Sequence, residues 1–286
     1  MRPAGGIVLL MALGAAACSR APEPREYEVR GQILRVDPER QEVLVDHEDI
    51  EGFMPAMTMP YRVRDVGLLD GREPGDLFTA TLVVEETSAY LSTITRTGHE
   101  PLESPVVGPA ITDADVIQEG DVVPDGALVN QDGAPLPMTS LRGHRVALTF
   151  IYTRCPLPDF CPLMDRHFAE LQRTLAGTPS LEDVRLVSVT LDPAYDTPAV
   201  LKAHAGLLQA DPARWQFATG EPDEVLAFAK QFGVLTEAGD PSSPILHNLR
   251  TAVIDAQGHL AAIHSGNMWM PAELVADLEA AAAPAR

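Results

Sequence analysis

The stretch VALTFIYT (146–153) runs eight residues without a charge and without polar–apolar alternation. A short run of that kind, rich in β-branched and aromatic side chains, is a strand buried on both faces, as at the centre of a parallel sheet flanked by helices. Its surroundings carry the matching periods. An amphipathic stretch over 163–175 reads as a helix, and VRLVSVTL (184–191) as a second buried strand. DTPAVLKAHAGLL reads as a helix with Pro198 in its first turn. WQFAT, the helix PDEVLAFAKQFG, the hairpin RTAVIDAQGHLAAIHS and the helix PAELVADLEAAA complete an α/β series.

That order predicts a thioredoxin-like α/β domain over 121–286. The first half of the chain is different. Residues 27–97 hold the short alternating segments YEVRGQILRV, QEVLVDH, MTMPYRVR, LFTATLVVEE and AYLSTITRT, punctuated by Gly, Pro and Asp. They predict a small all-β barrel, OB-like, of about five strands. The proline- and acid-rich segment 98–120 between the two reads as a linker.

The N-terminus has the pattern of an export leader: Arg2, the apolar run GIVLLMALGAAA, then Cys18 after three alanines. The run is too short for a membrane span. It resembles the lipobox of bacterial lipoproteins, with Ala15 where leucine is usual, which implies lipid on Cys18 and a membrane-anchored protein in the cell envelope. A plain secretory signal is the alternative. The formal net charge of −20, with Lys202 and Lys230 the only lysines, would repel a polyanion and argues against nucleic-acid binding. The 25 prolines read as a compositional habit.

Setting Cys18 aside leaves Cys155 and Cys161 as a pair, in a compartment where a disulfide can form. One bond closing so short a loop constrains little of the unfolded chain, so a purely structural disulfide is the weaker reading. On a helix the two side chains would diverge by about 120°. Pro156 and Pro158 argue for a loop, which closes for only about 0.4 kcal/mol more than a C-x-x-x-C loop. Cys161-Pro162 opens the next helix, where the dipole is expected to favour a thiolate. Two such thiols either exchange with disulfides or hold a soft metal such as Cu(I).

FIYTRCP…CPLM, VTLDPAYDTPAVLKAHA and LHNLRTAVIDAQG, in that order over about 121–280, resemble the three signatures of the Sco/SenC family. Those are thioredoxin-like copper chaperones for the binuclear copper centre of cytochrome oxidase. The resemblance implies a copper site of Cys155, Cys161 and His247, a copper-accepting partner such as an oxidase subunit, and chaperoning rather than enzymatic turnover. The family usually has three residues between its cysteines; this chain has five, which puts the bite of the pair in question. Asp192 is read either as a group behind the site or as the cap of its turn, and Met268 and Met270 as core.

HEDIEGFMPAMTMPY (47–61) is the second chemical signal. Met57 and Met59 share a face if the segment is a strand. Thioether and imidazole suit Cu(I), although alternating methionines also fill barrels. The stretch resembles the motif of CusF-like periplasmic copper carriers, which implies His47, Met57 and Met59 as ligands. Where that family has a shielding tryptophan this chain has Met54, with Phe53 beside it. The combined expectation is an exported copper-handling protein with a Cu(I) site in each domain, the second also taking Cu(II), and copper passing between them. The alternatives are a thiol–disulfide oxidoreductase acting on a partner's cysteines and a copper-tolerance buffer.

Overall fold

The structure, a computed structural model, describes residues 23–102, 116–237 and 245–282. The leader with Cys18, and most of the segment read as a linker, lie outside the described residues. Among those described, no helix is long and apolar enough to cross a membrane.

Five antiparallel strands form the first sheet: β1 (Arg25–Asp37), β2 (Glu42–His47), β3 (Met57–Arg62), β4 (Asp76–Val84) and β5 (Ala89–His99), in the order β3-β2-β1-β4-β5. The thirteen-residue β1 spans two partners, pairing with β4 through its first half and β2 through its second. The ends of the sheet then meet. Val63 bridges Leu91 in parallel, and the Arg64 N–H donates to the Leu91 carbonyl at 2.9 Å. The result is an OB-like barrel. Its alternating inward residues, among them Val29, Ile33, Val43, Val45, Leu82 and Leu91, are fully buried. Pro60 sits in β3, at the sheet's edge, where its missing N–H breaks no ladder.

The second sheet has six strands: β6 (Leu128–Asn130), β7 (Val146–Ile151), β8 (Arg185–Thr190), β9 (Trp215–Gly220), and, after a two-residue pair β10 (Thr236–Glu237) and β11 (Leu246–His247), the hairpin β12 (Arg250–Ile254) and β13 (Leu260–Ser265). The order is β13-β12-β7-β8-β9-β6, with β7, β8 and β9 parallel. All six residues of β7 are buried. Val146, Leu148 and Phe150 face the cluster under α3 (Pro222–Gln231). Ala147 and Ile151 face the one under α1 (Cys161–Ala176), α2 (Pro198–Leu207) and α4 (Pro271–Ala280). This is the thioredoxin-like layer the apolar run predicts.

The prolines are more than habit. Among the described residues, each of the four α-helices carries one in its first turn, where the absent N–H would lack a helical partner anyway. The sequence reading missed β6, too short to show a period, and β10–β11. The latter places His247 on a short strand opposite Thr236, not in a free loop.

Candidate metal centre

The cysteine loop leaves the C-terminal end of β7. Its first turn is tied down by Asp196, which is fully buried. The Asp196 carboxylate accepts the Thr153 N–H at 3.0 Å, the Thr153 hydroxyl, and the Thr190 hydroxyl at 2.6 Å. Asp192 pairs with Arg154 Nε at 2.5 Å, and that guanidinium lies 4.8 Å from the Tyr195 ring. The Asp192 carboxylate thus holds the residue before Cys155, while its backbone carbonyl makes the turn by accepting from Tyr195 and Asp196.

Cys155 is partly exposed and Cys161, the first residue of α1, is buried; both are free thiols. The helix dipole does not decide their ionisation. Burial pushes Cys161 well above the ordinary thiol value, and the neighbouring Cys155 adds to it. Cys155 goes the other way, held down first by a hydrogen bond from the Cys161 thiol and, more weakly, by one from Tyr152. Cys155 is therefore the more acidic thiol of the pair, and burial overrides the thiolate expected at Cys161.

His247 Nε2 lies 3.5 Å from Cys161 Sγ. Its Nδ1 donates to the Asn248 carbonyl at 3.0 Å, which puts the proton on Nδ1 and leaves the Nε2 lone pair facing the sulfur. Desolvation lowers its pKa to about 4 despite that carbonyl, so the imidazole is neutral and fit to ligate. Tyr152 packs edge-on against it at 5.7 Å. The three ligand atoms do not all lie within 4.8 Å of one another, so gripping one ion takes an inward shift. Two sulfurs and a neutral imidazole nitrogen are a donor set for Cu(I) and Cu(II).

The barrel repeats the device. His47 is buried, and its Nδ1 donates to the Glu48 carbonyl at 2.7 Å. Its buried Nε2 has no partner, and desolvation lowers its pKa. It pairs directly with Met57 across β2–β3, and Met57 and Met59 are both buried on that same inner face. The Tyr61 hydroxyl reaches Met54 Sδ at 3.7 Å. An unpartnered imidazole nitrogen on a strand paired with the methionine strand offers donor types that suit a soft cation. His47 itself opens onto a separate groove beside Gly31 and Ala56, away from the cavity that the methionines line.

A third cluster, Glu73, Asp76 and His99, brings its ligand atoms within 4.8 Å. Arg96 Nε already holds the buried Asp76 carboxylate at 2.6 Å, so an ion pair accounts for it. Met268 and Met270 are 46% and 59% exposed, which corrects their reading as core.

The SCO1/SenC family model matches residues 114–283, more than half of the chain. The chain belongs to the SCO1/SenC family. Residues 26–97 match a second model, the copper-binding periplasmic protein CusF, so a CusF-type barrel precedes the Sco domain. Both are copper-binding families. A SCO1 protein homolog of Bacillus subtilis is 28% identical over 155 residues, covering 53% of this chain and 78% of its own. A SCO2-like protein of Rickettsia felis is 27% identical over 187 residues, covering 64% and 84%. A crystal structure of a SCO1/SenC family lipoprotein from Bacillus anthracis superposes with a TM-score of 0.52 at 25% identity, over 59% of this chain and 99% of that one.

Three features of the Sco site escaped the sequence reading. Tyr152 stands inside the FIYTRCP motif, three before Cys155, and Asp196 four after Asp192, so both were visible as neighbours of quoted residues. Leu157 had no signal: it is buried with the barrel's core cluster and not with its own domain's.

Proposed function

We propose that the chain is an exported copper chaperone of the Sco type, carrying its cargo on Cys155, Cys161 and His247, with a second Cu(I) site at His47, Met57 and Met59 and an acceptor such as the binuclear copper centre of cytochrome oxidase. The leader pattern and Cys18 support export with a lipid anchor. The single observation that carries the reading is His247: its Nδ1 proton is parked on the Asn248 carbonyl while Nε2 faces Cys161. Disulfide exchange needs two thiols and no imidazole; a three-ligand copper site needs all three.

Copper X-ray absorption on the reduced full chain tests it. The double variant Met57→Leu/Met59→Leu keeps barrel volume and apolar character. It should retain one Cu(I) in an environment of two sulfurs and one nitrogen, while the wild type binds two. Equal stoichiometry and an unchanged spectrum in the variant would return the methionines to core filler.

A second reading has its own observation. One partly exposed, more acidic thiol beside one buried thiol is also the arrangement of an attacking and a resolving cysteine. Thiol–disulfide exchange on a partner's cysteines is the alternative activity.

A further inference from the structure

The chamber between the two domains belongs to neither copper site alone. It is a half-open pocket of about 260 Å³, lined by Met57 and Met59 from the barrel and by Cys155 and His247 from the Sco domain. The segment between the cysteines, residues 156–160, makes the join. Leu157 is 8% exposed, and the side chains it clusters with are the core of the barrel, not of its own domain. Phe160 packs on the same barrel cluster and lines the chamber. The barrel's own aromatic next to Met54 is turned elsewhere: Phe53 stacks on Tyr27 at 4.4 Å. Phe160 thus adds an aromatic surface from the Sco domain to the one Tyr61 gives from within the barrel. Two polar contacts hold the same juxtaposition. Arg166 Nη2 donates to the Thr87 carbonyl at 3.1 Å, and Arg62 Nη2 meets Met268 Sδ at 2.6 Å.

We propose that residues 156–160 form an interdomain latch, seated in the barrel through Leu157, which walls a shared pocket where Cu(I) is handed between the thioethers of Met57 and Met59 and the cysteine–histidine site. The hand-over rests on the copper reading above; the latch does not. In the exchange a Cu–thioether bond breaks as a bond from copper to Cys155 Sγ forms, a proton on that sulfur leaving to water. Copper stays Cu(I) and no electron moves; when Cys161 joins, its thiol proton leaves to water. Soft donors at low coordination number allow such exchange without a free ion. Because both domains share one chain, an effective concentration of about millimolar lets a small apolar contact keep them docked.

Backbone nitrogen relaxation on the metal-free full chain tests the latch. In wild type both domains should tumble with one correlation time. Leu157→Asp should split them into two shorter ones, since a charge in an apolar socket weakens docking at least tenfold. Leu157 lies in a surface loop of its own domain, and far-ultraviolet dichroism checks that both folds persist; Leu157→Ser is the milder second variant. With one equivalent of Cu(I) bound, bicinchoninate should extract copper at least tenfold faster from Leu157→Asp than from wild type. Separate tumbling in the wild type, or wild-type tumbling in both variants, overturns the latch. Common tumbling with extraction rates equal in wild type and Leu157→Asp supports the latch and overturns the hand-over. A docked protein that takes up no Cu(I) sinks the copper reading while leaving the latch standing.

Discussion

His47 and His247 are prepared in the same way. In each, the carbonyl of the following residue takes the Nδ1 proton, and burial keeps the ring neutral. The cost appears in acid. His247 has a folded-state pKa of about 4 against 6.5 for the free side chain. Between those values the unfolded chain binds the proton and the folded one does not, so stability is complete above pH 6.5 and falls as pH drops toward 4. The slope approaches about 1.4 kcal/mol per pH unit at most. Asp159 works against it: burial pushes its carboxyl up to about 6, so the folded state binds that proton more readily and gains stability as pH falls through 6. Urea titrations of metal-free wild type and His247→Gln at pH 7 and pH 5 separate the two. The variant should lose less stability on acidification than wild type. Equal losses would mean that the ring titrates as an ordinary histidine.

At the scale of elements, the cysteine loop is held from β8 and the turn after it. Asp196 accepts from both Thr153 and Thr190 in a buried site. Asp196→Ala strands those donors at a cost of about 3 kcal/mol, and it should loosen the turn that carries Cys155. Lower Cu(I) affinity together with a lower melting temperature is expected, with Asp196→Asn losing less of each. Copper affinity equal to wild type in Asp196→Ala would separate this anchor from the site. The strands and helices were legible because their periods are local: six consecutive buried residues in β7, and alternation through β2 and β3. The ionisation of the thiols was not. A helix start argues for a thiolate at Cys161, and only the three-dimensional burial of that sulfur shows desolvation winning. Likewise residues 156–160 read correctly as a proline-flanked loop, yet nothing local says that Leu157 enters a different domain's core.

At the scale of the molecule, a CusF-type barrel and a Sco domain present soft donors to one chamber. That arrangement gains most if the chain is held where copper is delivered. Cys18 should carry lipid, so a tagged fatty acid should label the wild type and not Cys18→Ser, which should also leave the membrane fraction. Label and fractionation unchanged in the variant would end the lipoprotein reading. The central claim, that copper and not disulfide exchange is the business of the site, turns on His247. The most direct measurement is copper affinity in both oxidation states, with disulfide formation followed on the same samples, for wild type and His247→Ala. The chaperone account predicts that His247→Ala binds copper more weakly, Cu(II) most of all, while its Cys155–Cys161 disulfide still forms and is still reduced. Wild-type affinity for both copper states in His247→Ala, alongside turnover of disulfide substrates by the wild type, would contradict the account and make the chain an oxidoreductase.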